Sequence, residues 1–201
     1  MTAAKRSPKS RVASFLGLFF PDYKAASALE VSPKGLWRSG IRHVVLDLEN
    51  TLVPYKARTL DPATLAWLDD LKRTGLEVSI VSNSPRAWVE GLLADHGIRY
   101  VAMARKPSRK AFLKVLELSG CGSEESIHIG DQLLTDIFGA HRAGMVAVLV
   151  EPLSKKGPIS THLQRKFLVP LIRLGCRLAR LGDPLGVDRD GSEPKFQELP
   201  G

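Results

Sequence analysis

Between residues 43 and 150, short β-branched apolar runs alternate with amphipathic stretches. Five runs read as strands: His43–Glu49, Leu76–Ser82, Ile98–Ala102, Ser126–Gly130 and Met145–Val150. The stretches between them carry ordinary helix signals. Asp61 before Pro62 sets an N-cap ahead of a first-turn proline, and Gly75 closes that helix. Pro85 to His96 ends at Gly97, Pro107 to Ser119 at Gly120, and Leu133 to Ala143 at Gly144. The alternation predicts an α/β fold, a five-stranded and mainly parallel sheet with helices on both faces. Ligands of such sheets bind beyond the carboxyl ends of the strands, so chemistry is expected in the loops that follow the five runs.

Composition narrows the class. With 201 residues, 44% of them hydrophobic, the chain can bury the core of one domain. Cys121 and Cys176 form neither a disulfide framework nor a metal-type spacing, which favours a reducing compartment. No apolar run approaches the ~20 residues that cross a bilayer. The net charge of +8 is uneven. Residues 1–46 hold eight Lys/Arg against two Asp/Glu, residues 47–150 hold twelve against thirteen, and residues 154–182 hold seven basic and no acidic side chains. A near-neutral centre between basic flanks suits a polyanion: nucleic acid, a ribosome or an anionic membrane.

The organisation read from the chain is a basic N-terminal arm and amphipathic lead-in over 1–42, an α/β domain over 43–153, a basic amphipathic helix over 154–181 and a disordered tail over 182–201. The arm (Lys5, Arg6, Lys9, Arg11) precedes an apolar patch, residues 15–20. This has the outline of a signal peptide with Ala26-Ser27-Ala28 as its cleavage site, but Asp22, Tyr23 and Lys24 intervene, so secretion is not expected. At 100° per residue, Leu163, Phe167, Leu171, Leu174, Leu178 and Leu181 share an arc of about 80°, with Arg165, Lys166, Arg173, Arg177 and Arg180 on a separate arc. Pro170 must kink or split that helix. The stripe either covers the core or lies on anionic lipid.

Chemistry concentrates at the strand ends. Asp47 and Glu49 close a buried apolar run, and two carboxylates there are costly without a cation or a reacting phosphate as partner. Run two finishes in Ser82-Asn83, run three is followed by Lys106-Pro107, and run four ends in Gly130-Asp131 with Asp136 five residues on. Singly, these are a turn start, a solvated lysine, an N-cap and a first-turn acid. Jointly they place carboxylates, a hydroxyl and an ammonium on one rim of one sheet. The five histidines show no ligand spacing, and His43 and His128 are expected to be structural, away from this rim.

Asp47-x-Glu49-x-Thr51, Ser82, Lys106 and Gly130-Asp131-x-x-x-Thr135-Asp136 resemble the four motifs of the haloacid dehalogenase (HAD) superfamily of phosphohydrolases. The short spacings leave no room for a separate cap domain, as in the capless subclass III. The phrases Phe20-Pro21-Asp22, Gly40-Ile41-Arg42, Ala104-Arg105-Lys106-Pro107 and Gln132-Leu133-Leu134-Thr135 are similar to the YqeG-like branch, which includes phosphatidylglycerophosphate phosphatases. The resemblance implies a HAD-like Rossmannoid fold and the following roles. Asp47 is the nucleophile and forms an aspartyl-phosphate. Mg²⁺ is held by Asp47, the Glu49 backbone carbonyl and Asp131. Thr51, Ser82, Asn83 and Lys106 hold the phosphate, and Asp136 stands behind Lys106 or the metal.

Glu49 departs from the pattern, since the superfamily phosphatases carry aspartate there. Glutamate keeps the acid–base chemistry but adds about 1.5 Å of reach, and such a displacement can cost ~100-fold. The expected function is Mg²⁺-dependent hydrolysis of a phosphomonoester, phosphatidylglycerophosphate first, by a cytoplasmic protein peripheral on the inner face of an anionic membrane. The alternatives are a phosphoprotein, a nucleic-acid end or a soluble phosphate as substrate, or a catalytically weak RNA- or ribosome-binding module.

Overall fold

The computed structural model describes residues 15–154 and 169–178. The basic arm and most of the expected C-terminal helix and tail lie outside them. The elements are β1 (Tyr23–Ala25), a 3-10 turn (Ala28–Glu30), α1 (Pro33–Arg38), β2 (His43–Leu46), α2 (Pro62–Arg73), β3 (Glu77–Val81), α3 (Arg86–Leu93), β4 (Arg99–Val101), α4 (Arg109–Ser119), β5 (Ser126–Gly130), a π-helical segment (Leu133–Phe138) running into α5 (Gly139–Arg142), β6 (Val146–Val150) and α6 (Val169–Leu178). The strands form one sheet in the order β1-β6-β5-β2-β3-β4, and every pairing is parallel.

The sheet therefore has six strands, not the expected five. The extra strand, β1, lies in the lead-in and pairs Tyr23 with Val148 and Ala25 with Val150. Asp22 aligns it: its N–H donates to the Ala147 carbonyl (2.9 Å), and its carboxylate accepts the Ala147 N–H (2.8 Å). His141 also reaches that carboxylate, at 2.9 Å.

Alternation along the central strands divides the core in two. Val44 and Leu46 face one layer with Leu68, Leu71, Val89 and Leu92 from α2 and α3. Val45 faces the other with Phe112 and Val115 from α4 and Ile137 behind β5. Burial on both faces explains why these strands read as continuous apolar runs. The helix signals act as expected: the Asp61 carboxylate accepts the Ala63 and Thr64 N–H groups at 3.0 Å, and Pro62 opens α2. Pro170 is the second residue of α6 as described, and the helix expected ahead of it lies outside the described residues.

At the amino ends of the strands, far along β2 from the acids, His43 is fully buried. Its Nε2 meets Ser79 Oγ at 3.0 Å, and its Nδ1 meets Ser119 Oγ at 3.1 Å and Ser126 Oγ at 3.3 Å. Burial, helped by the charge of Arg99, lowers its pKa to about 4. An unfolded histidine titrates near 6.5, so the unfolded state takes up a proton that the folded state refuses. Stability is then full above pH ~6.5 and falls as pH drops toward 4, by about 3 kcal/mol from this residue. Urea unfolding at pH 7, 6, 5 and 4.5 should show that slope, and His43→Asn should flatten it.

Candidate active site

The carboxyl ends of β2, β3 and β5 and the loop after β4 converge on one buried cluster. β2 ends at Leu46, and the Asp47 N–H still donates to Ile129 O at 2.9 Å, so the first acid is fixed to the neighbouring strand. The chain then turns through Asn50, whose φ of 67° lies in the left-handed region that Asn tolerates. The Asn50 side chain accepts from Ser154 Oγ at 2.8 Å, and its carbonyl accepts the Leu153 N–H at 2.9 Å. The Thr51 hydroxyl donates back to Asp47 Oδ2 at 3.3 Å.

Lys106 forms the centre. Its Nζ donates to Asp47 Oδ1 at 2.5 Å and to Asp136 Oδ1 at 2.7 Å, with all three side chains buried. Burial opposes the ammonium charge, but Asp136 and Asp47 outweigh it and hold Lys106 protonated, well above the usual lysine range. Asn83 fixes the lysine's backbone: its Oδ1 accepts the Lys106 N–H at 2.7 Å, and its amide donates to the Lys106 carbonyl at 3.4 Å. Ser82 lies beside it, 1% exposed, its Oγ accepting the Ser84 N–H at 3.1 Å.

Asp136 is enclosed on every side. It accepts from Lys106, from the Gln132 N–H at 3.0 Å, from Thr135 Oγ1 at 3.3 Å and from His128 Nε2 at 3.2 Å. Burial alone would raise its pKa, but Lys106 and His128 overturn this and hold it well below the carboxylate range. The π-helical segment provides this enclosure. The Ile137 N–H reaches back to Gln132 O at 3.2 Å, and the widened turn brings Asp136 under Gly130.

His128 corrects an expectation. The sequence places it at a strand start away from the rim, whereas its ring reaches the carboxylate that holds Lys106. The carboxylate is an acceptor, so Nε2 donates to it. Nδ1 is the one buried side-chain polar atom without a partner among the described residues. Phe112 stacks edge-on against this ring at 5.0 Å.

Glu49 lies at the edge, half-buried, with Oε1 accepting the Lys56 N–H at 3.4 Å. Burial first, and then the nearby Asp47, raise its pKa, partly offset by Lys56. A carboxyl that keeps its proton to higher pH suits a general acid.

Oxygen atoms of Asp47, Asp131 and Asp136 lie within 4.8 Å of one another. Burial pushes Asp47 up despite Lys106, and Asp136 adds repulsion. Three buried carboxyl groups therefore lie close together, two of them on the Lys106 ammonium. The donors are all hard oxygens, so a divalent cation with oxygen ligands fits both the charge and the chemistry. Asp136 also accepts from Lys106, His128 and the Gln132 amide, so Asp47 and Asp131 are the carboxylates that would hold such a cation.

The comparisons agree with this arrangement. The HAD-hydrolase-like family matches residues 103–152, which carry Lys106, Asp131 and Asp136. The chain is 32% identical over 148 residues to "Probable phosphatase YqeG" of Bacillus subtilis, covering 74% of this chain and 86% of that protein. It is 31% identical over 152 residues to "Phosphatidylglycerophosphate phosphatase 1, chloroplastic/mitochondrial" of Arabidopsis thaliana, covering 71% of this chain but 44% of that longer protein. It is 27% identical over 161 residues to "Phosphoglycolate phosphatase" of Rhodospirillum rubrum, covering 73% and 64%. With an acid rim of HAD type on a parallel sheet and a YqeG relative matched over most of both chains, the protein belongs to the HAD-like phosphatases, in their YqeG-like branch.

Proposed function

We propose that the protein is a Mg²⁺-dependent phosphomonoester hydrolase that works through a phosphoryl group carried on Asp47, with phosphatidylglycerophosphate as its substrate. The observation that carries the chemistry is the ammonium of Lys106, shared between Asp47 and Asp136 in a buried site. A carboxylate attacks phosphorus poorly in water, where both partners are anionic and solvated. Here Asp47 is desolvated, and Lys106 offsets the charge of the approaching phosphate. Mg²⁺, held by Asp47, Asp131 and the Glu49 carbonyl, would supply the remaining positive charge.

In the first displacement an Asp47 oxygen forms the bond to phosphorus as the bond to the alcohol oxygen breaks, and Glu49 gives the alcohol its proton. In the second, Glu49 takes a proton from water, the water oxygen bonds phosphorus, and Asp47 is released. Thr51 donates to Asp47 and Ser82 follows directly on β3, and both hydroxyls would serve as donors to phosphoryl oxygens.

Support for the lipid substrate is threefold. A relative is named as a phosphatase of that lipid, the spacing of the motifs leaves no room for a cap domain between them, and the flanks are basic. The test is phosphate release with Mg²⁺ from phosphatidylglycerophosphate in mixed micelles, beside phosphoglycolate and p-nitrophenyl phosphate. The expected result is fastest release from the lipid, loss of release in EDTA and in Asp47→Asn, and a several-fold change in kcat in Glu49→Asp. Faster turnover of a soluble ester would move the substrate, and equal release by wild type and Asp47→Asn would refute the chemistry.

A further inference from the structure

Helix α6 uses the wrong leucines for a core helix. It docks through Ile172, 6% exposed, in a small cluster with Phe19 and Phe138. Gly175 faces Leu16 on the same side. Leu171, Leu174 and Leu178 are left 64%, 53% and 78% exposed. At 100° per residue these three leucines lie within an arc of about 60°, and Arg177 and Arg173 follow about 60° and 100° further round. Phe15, also half-exposed, adds its ring beside Phe138 at 5.5 Å. The covering function offered by the leucine stripe is thus met by Ile172, and the stripe faces outward.

We propose that the Leu171–Leu174–Leu178 face of α6, with Arg173 and Arg177 at its border, is a docking surface for an anionic lipid bilayer. Three exposed leucines in one line are costly in water and serve no phosphate backbone, which argues for lipid over nucleic acid. The charge agrees. The helix belongs to residues 154–182, where all seven charged side chains are basic, and an anionic surface attracts such a segment. Two arginines at the edge of an apolar stripe can reach headgroups while the leucines enter the acyl boundary. Among the described residues no helix is long and apolar enough to cross a membrane, so the contact is with the surface.

The platform beneath α6 adds to the proposed function, on which the purpose of this surface rests. Phe138 and Leu134 belong to the π-helical segment that also carries Asp136. The element on which α6 rests is therefore also the one that carries Asp136.

Sedimentation with vesicles tests the surface without turnover. The full-length protein is mixed in EDTA with phosphatidylcholine vesicles, or with vesicles containing phosphatidylserine at three in ten. The expected result is selective, salt-sensitive binding to the anionic vesicles. Partition should fall at least about tenfold in Leu171→Ser/Leu174→Ser/Leu178→Ser and about twentyfold in Arg173→Gln/Arg177→Gln, with melting temperature unchanged. Four results would overturn the proposal: wild type staying in the supernatant, the leucine variant binding like wild type, its melting temperature falling because the chain itself covers the stripe, or a wild-type dimer that the leucine variant dissolves. A protein that binds vesicles but releases no phosphate refutes the function alone. One that hydrolyses lipid phosphate in detergent yet ignores vesicles refutes this surface alone.

Discussion

Lys106→Met will destabilise the metal-free protein by about 3–5 kcal/mol at neutral pH and cut phosphate release by about a thousandfold. Among the described residues Lys106 is the one ammonium between Asp47 and Asp136, and all three groups are buried. Methionine nearly matches its volume, so the loss is of charge and not of packing. Two buried carboxylates then face each other without a cation, the situation in which breaking a buried pair costs most. Two signatures separate this from ordinary loss of a core residue. The deficit should shrink as pH falls, because the carboxyl whose folded pKa is now raised further takes up a proton in the folded state, and it should grow again through that pKa as pH rises. Mg²⁺ should also recover part of the lost stability by acting as the missing positive charge, whereas activity should not return. Denaturant titrations with and without Mg²⁺, at pH 5 and 7.5, measure both. A deficit independent of pH and Mg²⁺ would show that Lys106 does not hold the cluster together.

The sequence made some of this visible and hid the rest for physical reasons. β2, β3, β5 and β6 are buried along nearly all their length, so β-branched apolar residues mark them, and the ends of β2, β3 and β5 led to Asp47, Ser82 and Asp131. β1 had no such signal. It is a three-residue edge strand, Tyr-Lys-Ala, held by its pairing with β6 and by Asp22 on the Ala147 amide, and no local pattern encodes those contacts. His128 was misplaced because a strand position specifies a face and not a neighbour. Its contact with Asp136 exists because a π-helical turn eight residues on folds back beneath the strand end. In α6 the periodicity put Leu171, Leu174 and Leu178 on one face but gave no sign of which face would find a partner. Ile172, outside the stripe, found the Phe19–Phe138 platform. Motif spacing pointed to Asp47, Lys106, Asp131 and Asp136, which the fold brings to one buried cluster. The groups that hold them in place, Asn83 on the Lys106 backbone and His128 on Asp136, needed the fold.

Gly130→Ala tests that holding arrangement without touching any reacting group. A Cβ built on Gly130 would lie 2.5 Å from Asp136 Cγ and 2.6 Å from Asp136 Cβ, closer than side-chain atoms can approach. The strand cannot yield easily, because Gly130 is paired with Leu149 at the end of β5, with β2 on its other side. Asp136 cannot yield without releasing Lys106, His128 and the Gln132 amide. The methyl group should therefore cost about 2–3 kcal/mol of overpacking. Displacing the carboxylate that orients Lys106 should lower kcat by about a hundredfold. KM should change much less, because Asp47, Ser82 and the metal acids stay where they are. Gly91→Ala is the matching control. Gly91 lies within α3 with nothing near its missing Cβ, so the same substitution there should raise stability by about 0.5–1 kcal/mol and leave kcat unchanged. Paired thermal melts and steady-state kinetics decide the matter: if Gly130→Ala keeps wild-type kcat, the position of Asp136 does not govern Lys106, and Asp47 alone orients the ammonium.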